Sequence, residues 1–84
     1  MDDHIAEEVV RTTLPAAIVV EFDHAVGRAY GSDDPQYVGP VDVTGYQLAA
    51  LRRYGNRGFK TMRFEVDLTK RDGEPWLVVR KFEV

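Results

Sequence analysis

The chain has 84 residues, a net charge of −3, 44% apolar and 30% charged side chains, and no cysteine. Such a composition is that of one ordinary soluble globule, and it excludes a disordered chain, disulfide staples and thiolate-bound zinc. A single domain spanning 1–84 buries only about 60 to 65% of its unfolded surface, so self-association, for instance as a homodimer, is a reasonable expectation.

No run approaches the roughly 18 apolar residues a membrane span needs, and MDDHIAEE is acidic where a secretory leader is basic and then apolar. The sequence therefore reads as cytoplasmic. Residues 1–34 hold eight acids against Arg11 and Arg28, whereas residues 35–84 hold nine bases against six acids. That asymmetry marks either two partner-facing surfaces or two halves of one fold that attract each other.

In chain order, residues 3–13 read as a short amphipathic helix capped by Asp2 with Ile5 and Val9 on one side, or as the start of a strand, since Val9, Val10, Thr12 and Thr13 are β-branched. Pro15 ends that element. AAIVVEF, 16–22, reads as a strand with Ile18, Val20 and Phe22 on one face, continuing to Val26 and Tyr30 with Gly27 as a bulge or bend. Residues 31–43, with Asp-Pro and Gly-Pro steps, read as an irregular loop.

The clearest helix is 44–54: Thr44 and Gln47 form a capping box, Val43 and Leu48 a hydrophobic staple, and Gly55 suits an αL cap. Leu48 and Leu51 point to the core, Tyr54 to its border, and Arg53 away from it. The chain closes in a β-hairpin, 60–83. A two-residue Asp72-Gly73 loop would set Phe64 opposite Lys81 and Met62 opposite Glu83, mixing core and solvent positions. A three-residue loop with Gly73 in αL pairs Val66 with Val78 and Met62 with Phe82, and is the register expected. It leaves Leu77 and Val79 on the outer face beside Arg63, Glu65 and Asp67, in need of a cover: the N-terminal segment, a second subunit or a partner protein. The expected fold is thus α+β, a mainly antiparallel sheet of three to four strands against one main helix.

Three constellations bear on function. RRYGNRGFKTMRF, 52–64, concentrates Arg52, Arg53, Arg57, Lys60 and Arg63 among aromatic residues. It resembles the strand signature of the RNA-recognition motif family at Arg57, Gly58, Phe59 and Phe64, but Lys60 replaces a small residue and Thr61 a stacking aromatic, and the order of elements does not fit that fold. What remains is an electrostatic possibility, nucleic-acid binding through 52–63.

Chemistry is poorly represented elsewhere. His4 with Glu7 or Glu8 gives two ligands on a helix face, too few for a metal site. Glu21 and Asp23 pair on one strand face without a desolvating cleft, and Ser32 has no nucleophile-elbow context. None of the glycines forms a phosphate loop or dinucleotide fingerprint. No enzyme activity, cofactor or metal is expected.

Tyr30, Asp33, Asp34, Gln36 and Tyr37 are tyrosines among short polar residues, either the composition of a protein-binding surface or a segment whose Tyr30 and Tyr37 fold back to cap the small core. With Leu77 and Val79 they form the leading candidate for a partner contact. The expectation is a non-catalytic module that occludes a protein partner's surface, similar in composition to phage-type inhibitors of host defence complexes such as anti-CRISPR proteins.

Overall fold

A computed structural model describes residues 1–83, the side chain of Glu83 excepted. Its elements are α1 (Asp3–Thr13), α2 (Ala16–Tyr30), β1 (Gln36–Val38), α3 (Gly45–Asn56), β2 (Met62–Arg71) and β3 (Glu74–Glu83). The strands form one antiparallel sheet in the order β1-β3-β2. The α+β class, the helix at 44–54 and the C-terminal hairpin stand as read from sequence. The helices pack on one face of the sheet, α2 against β1 and β3 and α3 against β2, while α1 lies chiefly against α3. No helix among the described residues is long and apolar enough to cross a membrane.

Residues 3–13 are helical because Asp2 Oδ1 accepts the Ile5 amide at 2.8 Å, an N-cap that satisfies one donor of the first turn. The Thr12 and Thr13 hydroxyls donate to the carbonyls of Glu8 and Val9, which accommodates two β-branched residues in the last turn. The buried face is Ala6 and Val10 rather than the expected Ile5 and Val9: Ile5 is exposed and Val9 only partly buried.

The expected strand at 16–22 is a helix. Pro15 ends α1 and also opens α2, its carbonyl accepting the Ile18 and Val19 amides. Val19, Phe22, Ala25 and Ala29 are buried at helical spacing, and Val20, assigned to the core by alternation, is half exposed. Gly27 is accordingly an interior residue of α2 and not a bulge. The 31–43 loop contains the short strand β1.

In α3 the capping box forms in full: Gln47 N donates to Thr44 Oγ1 at 3.1 Å and Thr44 N to Gln47 Oε1 at 2.9 Å. Gly55 is not an αL cap. It stays helical and buried, and the helix runs on to Asn56. Tyr54 is fully buried, not at the border, with its ring 6.1 Å from Phe22 and its hydroxyl accepting from Arg11 Nη2. Burying side chains of this size contributes about 1.5 to 3 kcal/mol each.

The hairpin turns through two residues, Asp72 and Gly73, at φ +52° and +79°, as a type I′ turn requires. The three-residue register is thus corrected by one position: Val66 pairs with Val79, Leu68 with Leu77 and Phe64 with Lys81. A slip of one residue exchanges the faces of a strand. Leu77 and Val79 therefore lie on the inner face, fully buried with Val38 and Val66, and β3 is covered by α2 rather than by the N-terminal segment. Neither side chain is available to a partner, and no second subunit is needed to cover them. The charge that made this register unattractive is resolved by reach. Lys81 stands at the end of the inner face, and its ammonium extends to the Tyr30 carbonyl at 3.1 Å and to Asp33 at 3.7 Å.

Candidate functional site

Segment 30–37 begins on the last residue of α2 and ends in β1, and most of its residues are tied down. Lys81 holds the Tyr30 carbonyl and the Asp33 carboxylate. Ser32 Oγ accepts the Asp34 amide at 3.1 Å, and Gln36 Nε2 donates to the Asp34 carbonyl at 3.1 Å. Arg28 Nε donates to Gln36 Oε1 at 3.0 Å. The Arg71 guanidinium lies 4.2 Å from the Tyr37 ring centre and 4.9 Å from that of Trp76, on the sheet face away from the helices. Gln36 and Tyr37 are thus half-buried supports, whereas Tyr30, Asp33 and Asp34 are exposed.

Tyr30 also leads into a groove. Its ring is 5.9 Å from that of Phe59, which meets Phe64 edge-on at 5.0 Å. Beside it Asp23, Val26 and Gly27 of α2 face Gly55, Arg57 and Phe59 across a concavity of about 380 Å³. Asp23, Val26, Gly27 and Tyr30 follow the i, i+3, i+4, i+7 spacing of one helix face. Sequence reasoning missed this groove because it depends on α2 being a helix. On that helix Glu21 and Asp23 are two apart and do not face each other, so the expected carboxylate pair does not exist.

Behind the groove, burial and the neighbouring Asp23 carboxylate push the Tyr54 pKa above its ordinary value. Arg57 lies over the same ring at 3.7 Å from its centre and donates to the Tyr54 carbonyl.

Of the five bases in 52–63, the fold brings four together. Arg52, Arg53, Arg57 and Arg63 line one open groove of about 520 Å³ with Asp3, Asn56 and Phe59, whereas Lys60 is exposed outside that lining. Each arginine is anchored. Arg52 Nε donates to the Val66 carbonyl at 2.9 Å and its Nη2 to Asp67 at 2.6 Å, and Arg53 Nε donates to Asp3 at 2.6 Å. Arg63 Nη1 donates to the carbonyls of Phe59 and Met62. Asn56 covers part of the free edge of β2, accepting the Phe64 amide at 2.7 Å and donating to its carbonyl at 3.0 Å.

The class this defines is a three-helix, three-stranded α+β domain with two concavities flanking the connection from α3 to β2. Comparison of the chain with protein families, curated sequences and solved structures gives no match.

Proposed function

We propose that the protein is a small, non-catalytic protein-binding module that occludes its partner with the exposed part of segment 30–37 and the adjoining groove. One observation carries this reading: Tyr30, Asp33 and Asp34 are solvent-exposed on a segment whose backbone and flanking side chains are fixed by Lys81, Ser32, Gln36 and Arg28. A surface already held in shape loses little conformational entropy on association, and a tyrosine ring supplies contact area at low cost.

The two carboxylates favour a basic partner surface, and the neighbouring groove takes one apolar side chain from it. A basic nucleic-acid channel on the target would suit this chemistry, which is where the compositional analogy with inhibitors of defence complexes enters. Gln36 and Tyr37 serve as supports, and Leu77 and Val79 have no part in the contact.

The test starts from a partner co-purified from the native cell and then titrated as a pure protein. The triple variant Tyr30→Ala, Asp33→Lys, Asp34→Lys is expected to weaken that binding about 30-fold or more, the loss of one hot-spot anchor of about 2 kcal/mol. Wild-type affinity in the triple variant refutes the reading.

A further inference from the structure

A wider concavity lies elsewhere, between the exposed face of α3 and the start of β2, and it is lined by Arg52, Arg53, Arg57 and Arg63. Guanidinium groups repel one another, and the fold nonetheless holds four at one groove with Asp3 as the only lining carboxylate among the described residues. Each guanidinium carries five N–H donors, and the intramolecular bonds among the described residues leave at least three unused on each. Anchored arginines with spare planar donors are suited to phosphate, which they bind bidentately with little further ordering. Phe59 adds a ring to the same groove.

We infer that this groove binds a nucleotide, its phosphates on Arg53, Arg57 and Arg63 and its base against Phe59. About 520 Å³ is within the usual size for a small-molecule site. The ligand is short for an electrostatic reason. Asp2, Asp3, Glu7 and Glu8 stand on the neighbouring α1 and the whole chain carries −3, so a long duplex laid across this face meets repulsion beyond the groove. A free nucleotide and one residue of a single strand present the same chemistry. This site is separate from the exposed loop of the partner contact proposed above, since Tyr30, Asp33 and Asp34 do not line it, although Arg57 and Phe59 border both grooves.

The experiment titrates the purified protein with ADP, inorganic pyrophosphate and a short oligothymidylate by calorimetry. Variants are Arg53→Gln, Arg53→Gln/Arg57→Gln, Phe59→Leu, and a charge-matched control, Lys70→Gln/Arg80→Gln, whose residues lie outside the groove. Saturable binding of ADP or the oligomer, weakened about tenfold in the double variant and under about twofold in the control, supports the site. Arg53→Gln removes only an exposed ion pair, so it decides the matter should the double variant unfold. ADP binding identifies a free nucleotide, and binding of the oligomer alone identifies a single strand. Phe59→Leu is expected to weaken either one while leaving pyrophosphate unchanged. The proposal is overturned by no saturable binding of any probe, by equal loss in the control, or by pyrophosphate binding as tightly as ADP.

Discussion

Two helix-interior glycines, Gly27 and Gly55, face the same groove from opposite sides, and alanine at each is expected to act with opposite sign. At Gly27 an added Cβ meets no atom within 4 Å. The substitution therefore only removes the entropic cost of glycine in a helix, a gain of about 0.5 to 1 kcal/mol. For a domain of this size that raises the melting temperature by about 2 to 8 °C. At Gly55 the added Cβ would stand 3.0 Å from Phe22 Cζ and 3.3 Å from its Cε2. Phe22 is fully buried and packs on Tyr54, so its ring has little room to retreat. Overpacking of this kind costs about 1 to 3 kcal/mol, which outweighs the helical gain. Urea and thermal unfolding followed by far-UV circular dichroism measure both. Partner binding gives a second readout, because Gly27→Ala narrows the groove and the more stable protein is expected to bind more weakly. Equal stabilisation by the two alanines would show that propensity alone governs both sites and that the Phe22 contact is not tight.

Other consequences are as direct. Thr44→Ala breaks the reciprocal cap of α3 and is expected to cost about 1 kcal/mol in chemical denaturation. Because the Tyr54 pKa is raised in the folded state, the unfolded chain gives up its proton first. Stability is therefore unaffected by this group below the ordinary value of 10.0 and falls as pH rises above it. Tyr54→Phe removes that decline, as denaturation on either side of pH 10 will show, while costing about 1 kcal/mol at neutral pH from the lost hydroxyl hydrogen bond. Gly73→Val forces a β-branched residue to φ +79°, and is expected to destabilise the hairpin by about 1 to 2 kcal/mol. Lys81→Met keeps the stem but removes the ammonium, so amide exchange across 31–34 is expected to quicken with little change in melting temperature. Unchanged exchange would contradict the support assigned to Lys81.

What the sequence revealed depended on whether a signal was local. The start of α3 is written in four residues, Thr44 to Gln47, and its cap forms as read. AAIVVEF is different, since a short apolar run satisfies period 2 at Ile18, Val20 and Phe22 and period 3.6 at Val19, Phe22 and Ala25. The following fifteen-residue continuity decides for helix, and Gly27 obscured it by resembling a bulge. The hairpin turn was similarly ambiguous, because Arg71-Asp72-Gly73 supports loops of either length. Composition drew attention to Tyr30, Asp33, Asp34 and the arginines of 52–63, which are exposed or line grooves. It could not assemble the grooves, which join residues far apart in the chain, nor keep Leu77 and Val79 off the surface once the register had slipped by one.

The hairpin register and the proposed partner surface are in fact one decision. Only with the two-residue turn does position 81 fall on the inner face of β3, from which a lysine can reach the end of α2. In the other register Lys81 would point away from the helices and the Tyr30 carbonyl and Asp33 would lose their common cation. The connection from α3 to β2 links the two concavities in the same way. Arg57 and Phe59 line both, and Arg57 is fixed over Tyr54, the largest fully buried side chain. A substitution at Arg57 or Phe59 therefore acts on both surfaces and on the core beneath. Gly27 lines one groove and Arg53 the other, so substitutions at these two positions are expected to separate the proposed protein contact from the proposed nucleotide site.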